Sequence, residues 1–108
     1  MRYQTLYTTI ASGDVLSGVV AVQGAKTVGV FASIPTSCVA YIKVSYDVTS
    51  VNARRMTNSA GSGDWTWSVG SGMKAIDLLP AGNFVPYLRL ETSVAQADTA
   101  SLAVVVKL

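Results

Sequence analysis

The feature that most limits this chain is a period of two in its apolar residues, repeated in short runs along its length. Residues i, i+2 and i+4 line one face of a β-strand, whereas a helix face needs spacings of three and four. In 38–47, Ala40, Ile42, Val44 and Tyr46 fall on one side, and Lys43 and Ser45 on the other. Phe84, Leu88 and Leu90 share a side opposite Arg89. Trp65, Trp67 and Val69 alternate with Thr66 and Ser68. Near the C-terminal end Leu102, Val104, Val106 and Leu108 alternate with residues that include Ser101 and Lys107. Residue choice agrees with the period: there are sixteen valines and ten threonines, against one glutamate and four lysines, and β-branched side chains suit a pleated surface.

Turn-forming clusters separate the runs: Ser12-Gly13-Asp14, Gly24, Pro35-Thr36-Ser37, 58–63, Gly70-Ser71-Gly72 and Pro80-Ala81-Gly82-Asn83. Strands are therefore predicted near 3–9, 18–23, 27–33, 38–47, 52–57, 64–69, 74–79 and 84–91, with 101–108 as a ninth and 18–23 as a short edge piece. Several strands with one apolar face each, at this spacing, pack as two sheets. The expected fold is an all-β, two-sheet antiparallel β-sandwich of about eight strands. It is jelly-roll-like, with other Greek-key orders left open, and it occupies 1–108 as one domain. A chain of 108 residues can bury a core of this kind without disulfide or metal staples.

The same residues narrow the chemistry. There is no histidine, which removes a Ser-His-Asp triad, a Cys-His pair and every histidine metal site. Asp14, Asp47, Asp64, Asp77, Glu91 and Asp98 are scattered, with no paired carboxylates on one strand face to act on a glycosidic bond. The 58–64 segment offers only Asn58 and Asp64 as side-chain oxygen ligands, too few for a calcium loop. Gly61-Ser62-Gly63 and Gly70-Ser71-Gly72 are not followed by a Lys-Ser/Thr pair or a helix pattern, so they read as hairpin turns and not phosphate loops. The single cysteine, Cys38, can form neither an internal disulfide nor a thiolate metal cluster, and it reads as a small buried hydrophobe. No enzyme activity and no cofactor are expected. The N-terminus is polar and no apolar run approaches the length of a membrane helix, so synthesis in the cytoplasm and no membrane partner are expected. A net charge of +2 gives no general attraction to nucleic acid.

What remains is surface. Only 13% of residues are charged, against roughly 25% in an ordinary soluble domain. Residues alternating with the inward set are not uniformly polar. Val39 and Tyr41 oppose the Ile42 side, Val85 and Tyr87 the Leu88 side, and Ala103 and Val105 the Val104 side. Read as one outward face on three strands, these six residues predict a contact with another copy of the chain. Trp65 and Trp67, with Tyr41, Tyr46 and Tyr87, offer aromatic rings on which a sugar could stack, although core or subunit-interface roles are the favoured reading of both tryptophans. Arg54 and Arg55 form a basic pair whose side chains point to opposite faces of a strand. They are read either as a solvated or ion-paired edge or as a contact to an acidic partner.

An ordered set of segments carries a resemblance along the whole chain. Gly13-Asp14-Val15-Leu16-Ser17-Gly18 leads to 24–31, followed by Ile34-Pro35 and the strand 40–45. Then come the turn 79–84, Tyr87-Leu88-Arg89-Leu90, a small polar loop with Gln96, and a closing Val104-Val105-Val106-Lys107-Leu108. In this order the chain resembles the small β-sandwich virion proteins of tailed bacteriophages, of decoration or fibre type. Many of that group carry an Ile-Pro-x-x-Trp turn; here Ile34-Pro35 is followed by Thr36-Ser37-Cys38. The resemblance implies a structural protein of the virion, made in a bacterial host. Its first form is a capsid decoration (cement) protein, acting as a homotrimer or other small oligomer that clamps neighbouring major capsid subunits. A tail, fibre or adaptor component and a carbohydrate-binding module are the alternatives.

Overall fold

The computed structural model describes residues 2–22, 27–47, 49, 53–56, 63–64, 66–69, 72–77 and 86–107. Among these it contains nine strands and no helix: β1 (Tyr3–Ile10), β2 (Val20–Ala21), β3 (Thr27–Ile34), β4 (Cys38–Ser45), β5 (Arg54–Arg55), β6 (Thr66–Val69), β7 (Gly72–Asp77), β8 (Tyr87–Thr92) and β9 (Ala100–Lys107). Each predicted window overlaps one of them; β7 begins two residues before its window, and residues 78, 79, 84 and 85 of the predicted windows lie outside the described residues. The window 18–23 reduces to the two-residue β2, at the edge of its sheet as expected.

Two antiparallel sheets form. Sheet I has the order β1-β9-β3-β7, and sheet II the order β2-β8-β4, with β5 and β6 following one another along the far side of β4. The chain changes sheet at every connection except those joining β4, β5 and β6. That alternation is the jelly roll, two Greek keys folded over one core.

The core lies where the inward residues of the two sheets meet. Val28, Val30, Ala32 and Ile34 of β3 and Leu102, Val104 and Val106 of β9 face Ala40 and Ile42 of β4 and Leu88 and Leu90 of β8, all of them buried. Register explains the match: Val30 pairs with Val104 in sheet I, and Ile42 with Leu90 in sheet II, so like faces align strand to strand. Two expectations in β4 need correction. Val44 is only half-buried, because its neighbour on the far side is Arg54 of a two-residue strand at the rim. Tyr46, expected inward, is 73% exposed, because β4 ends at Ser45 and alternation ends with it. Ser45, on the outward side, is buried and donates its hydroxyl proton to the Asp47 carbonyl, 2.7 Å away.

One segment ties the sheets together. Ser17 bridges to Ile10 of β1, in sheet I. Its amide donates to the Leu90 carbonyl of β8, in sheet II, at 2.9 Å. Its buried hydroxyl accepts from the Leu90 amide and donates to the Gly18 carbonyl, both at 2.9 Å. Arg89 donates both Nε and Nη2 to the Ser17 carbonyl. Gly18 follows with its amide 3.3 Å from the Thr9 carbonyl, so residues 17 and 18 cover the end of the β1 edge.

Candidate interaction surfaces

A sandwich of this size exposes two broad faces, and the register assigns the candidate residues to them. Val39 and Tyr41 alternate with buried Ala40 and Ile42, and Tyr87 with buried Leu88, so all three lie on the outer face of sheet II. Ala103 and Val105 alternate with buried Leu102, Val104 and Val106 on the outer face of sheet I. The six residues therefore do not make one face. The five described ones point outward as expected, but from opposite sides of the molecule, and Val85 lies outside the described residues. The reason is topological: β9 belongs to one sheet, β4 and β8 to the other.

On the outer face of sheet II, at its β5 edge, the charged groups gather on Arg55. Its guanidinium carbon sits 3.8 Å from the centroid of the Tyr41 ring. Nε donates to Glu91 Oε1 at 2.7 Å, and Nη1 to Asp64 Oδ2 at 3.2 Å. Pairing brings these groups together, because Arg55 is opposite Lys43, and Tyr41 is opposite Glu91 on β8 and Thr66 on β6. The two carboxylates hold the guanidinium protonated even more firmly than usual, Glu91 contributing most. Partly exposed ion pairs add little stability, so the network chiefly fixes where the charges stand. Arg55 is thus an ion-paired edge residue. Arg54, on the opposite side of the strand, is exposed and donates Nη1 to the Ala53 carbonyl at 3.0 Å.

Among the described residues the aromatic rings are dispersed, with Tyr41 and Tyr87 on the outer face of sheet II. Trp67 is half-buried and packs on the core, the ring of Tyr41 is covered by Arg55, and Tyr46 projects from beyond the strand end. Trp65 lies outside the described residues.

On the outer face of sheet I the register builds an uncharged row that sequence reasoning passed over: Tyr7 on β1, Ala103 on β9 and Phe31 on β3. Tyr7 is 79% exposed and Phe31 43%. The row beside it holds Thr5, Val105 and Gly29. The available signal was the spacing Tyr3, Thr5, Tyr7 around Leu6, which puts two tyrosines on the outer side of β1.

At one end of the sandwich Gln96, 1% exposed, joins three loops. Its Oε1 accepts from the Thr36 amide at 3.0 Å and its Nε2 donates to the Val94 carbonyl at 3.2 Å. Its main chain bonds the first loop on both sides: the Gly13 amide donates to its carbonyl at 2.8 Å, and its amide to the Asp14 carbonyl at 3.1 Å. Gly13 has φ of 87°, a left-handed conformation open to glycine. Cys38 is half-buried beside Gln96, with Nε2 3.8 Å from Sγ, and burial pushes its thiol pKa up. Among the described residues no three acidic or cysteine side chains gather as metal ligands would, and no helix is long and apolar enough to cross a membrane.

No protein-family model matches the chain, and no curated protein does. Among solved structures, the crystal structure of the SPBc2 prophage-derived protein YomS aligns with a TM-score of 0.56 at 10% identity, over 98% of this chain and 95% of that one. A CBM4 structure aligns at a TM-score of 0.38 and 14% identity, over 93% of this chain and 78% of that one. The likeness to YomS establishes a common fold across both whole chains.

Proposed function

We propose that this chain is a structural protein of a phage particle, and that it serves as a capsid decoration (cement) protein. The observation that carries the reading is the jelly roll shared, end to end, with a prophage-derived protein. The surfaces support it. The sandwich has one outer face with an uncharged patch, Tyr7, Phe31, Ala103 and Val105, and Lys107 at its end, and one outer face with charges fixed in place around Arg55. Two such faces suit a body that lies between neighbours in a shell. A chain that binds only the assembled capsid stabilises it by mass action, by RT ln(1 + [L]/Kd) per site. Copies of the chain also associate with one another.

The test is the stoichiometry of this chain in purified particles. Many copies spread over the shell are expected. A few copies at one vertex would replace cement by a tail, fibre or adaptor role, and complete absence from particles would overturn the virion reading.

A further inference from the structure

We infer that Lys43 and Arg89, side by side on the outer face of sheet II, seat a carboxylate from an acidic segment of a neighbouring protein. The inference rests on the reading above, in which the chain lies against protein neighbours, and names the chemistry by which one of them is held.

Cross-strand register makes the seat. Lys43 of β4 stands opposite Arg55 of β5 on one side and opposite Arg89 of β8 on the other. Lys43 follows buried Ile42, Arg89 lies between buried Leu88 and Leu90, and Arg55 precedes buried Met56. The three basic residues therefore form one row across three strands of the outer face. Residues directly opposite one another have Cβ atoms about 5 Å apart, and like charges at that spacing destabilise a sheet. The row takes three of the eight lysines and arginines in the chain. Sequences depart from local consistency of this kind chiefly at functional sites.

The three charges are not offset alike. Arg55 is held by Glu91 and Asp64. Arg89 turns Nε and Nη2 to the Ser17 carbonyl, a neutral acceptor, which leaves its charge without a counterion and its Nη1 without a partner among the described residues. Among those residues no ion pair reaches the Lys43 ammonium either. The other acids of the chain stand elsewhere. Asp14 and Asp98 lie in the loops at the Gln96 end, where Ser12 bonds Ala97 and Gln96 bonds Asp14 through the main chain. Asp77 is on β7 of sheet I. Asp47, beyond the end of β4, accepts at Oδ1 from Thr49 and forms no ion pair with either cation. With Asp64 and Glu91 these are all six acidic residues, so the missing carboxylate comes from another molecule.

The surroundings select a single acid on a protein over a nucleic acid. Two cations without counterions, beside two carboxylates on the same face, suit one anionic group and not a chain of them. A run of phosphates continued past Arg55 meets Asp64 and Glu91, and continued past Arg89 it meets the Ser17 carbonyl. A carboxylate has two oxygens, one for the Lys43 ammonium and one for Arg89 Nη1, both as charge-assisted hydrogen bonds. Lys43 and Arg89 are half-buried, so a pair formed there is screened less than one on an open surface. Tyr87, the next outward residue of β8, and Ala21 opposite it give the seat an uncharged border for the neutral residues that flank the acid.

Nuclear magnetic resonance of the intact, isotope-labelled chain, titrated at low salt with the peptide acetyl-Gly-Ser-Glu-Ser-Gly-amide, tests the inference. The expected result is a saturable set of shifts centred on Lys43 and Arg89, absent when the peptide carries glutamine in place of glutamate. Lys43→Gln should weaken binding about tenfold, the worth of one charge-assisted bond, and Lys107→Gln, on the other outer face, should leave it unchanged. Because Lys43 stands between two like charges, Lys43→Gln should also keep or raise the urea midpoint of the parent. A lowered midpoint would make Lys43 a residue of the fold and overturn the inference. So would no binding, equal binding of the glutamine peptide, or equal binding by Lys43→Gln. Tighter binding of a thymidine trinucleotide would give the row to phosphate and overturn the carboxylate. Particle stoichiometry is read separately, so a chain missing from particles that binds the peptide through Lys43 would sink the virion reading and leave this inference standing.

Discussion

Replacing Gln96 by glutamate changes one nitrogen to oxygen in a side chain that is 1% exposed, and the structure sets the consequence. The Thr36 amide keeps an acceptor, but the donor that meets the Val94 carbonyl at 3.2 Å is lost when the acid is ionised. Losing that bond removes about 1 kcal/mol, and the carbonyl left facing a carboxylate adds to it. Burial also disfavours the charged form, raising the carboxyl from about 4.3 in the unfolded chain to roughly 6 or above in the native one. A rise of that size corresponds to about 2–3 kcal/mol at neutral pH. The sign follows from a raised native pKa: stability is retained below the unfolded value and lost as pH climbs through the native one, after which it is level. The variant is therefore expected to lose roughly 3–4 kcal/mol at about pH 7, and 1 kcal/mol or less near pH 4, where the neutral acid can donate to Val94. Urea denaturation of variant and parent at both pH values, followed by tryptophan fluorescence, measures this. Gln96→Met, which keeps the length and loses both bonds, should cost a similar amount at either pH. A Gln96→Glu deficit that ignores pH, or one within about 0.5 kcal/mol of the parent at neutral pH, would refute the assignment of Gln96 as a buried hydrogen-bonding post.

Leu88→Ala, in the closed core opposite Val44 and Val20, should lower unfolding free energy by roughly 2–5 kcal/mol, and a loss inside about 0.5 kcal/mol would place the residue outside the core. A Cβ on Gly18 would lie 2.6 Å from Thr8 Oγ1, and threonine is stiff at χ1; Gly18→Ala should destabilise by about 1–3 kcal/mol, with recovery in a Gly18→Ala/Thr8→Ala double variant by the same denaturation assay. Because burial raises the Cys38 thiol pKa above its usual 9.0, a thiolate-selective reagent at about pH 8 should modify the native chain many-fold more slowly than the urea-unfolded chain; equal rates would show the thiol to be open.

The strands were legible because each is written locally. Alternation in 101–108 places Val104 and Val106 inward without knowledge of any partner, and turn residues fix the limits to within a few positions. Strand order is not written locally, and the treatment of Ala103 and Val105 shows what that hides. Alternation says that a residue points out, but a sandwich has two outsides, and only the pairing of β9 with β1 and β3 separates these residues from Tyr41 and Tyr87. Tyr46 was misplaced because a period of two carries no mark of where hydrogen bonding stops. Arg55 was legible as an edge residue with an ion pair, but its partners Glu91 and Asp64 come from other segments. Gln96 reads as one more polar loop residue until Thr36 and the 12–14 turn are brought onto it. For Ala103, Gln96 and the Arg55–Glu91 pair the missing information is a contact made across tens of residues of chain.

Those long separations also act on the clock of synthesis. Strand β1 has its ladder partner in β9, so about ninety residues must be made after Ile10 before Ala100 reaches it. At about 5–20 residues per second that wait is roughly 5–20 s. For all of it, the uncharged segment Tyr3–Ile10 is a strand with both sides vacant, close in a polysome to identical segments on neighbouring nascent chains. The covering residues 17 and 18 cannot protect it during that time, because the Leu90 groups that hold Ser17 are themselves still unmade. Yield of folded chain should therefore fall as translation slows between β1 and β9, and rise where nascent strands are kept apart.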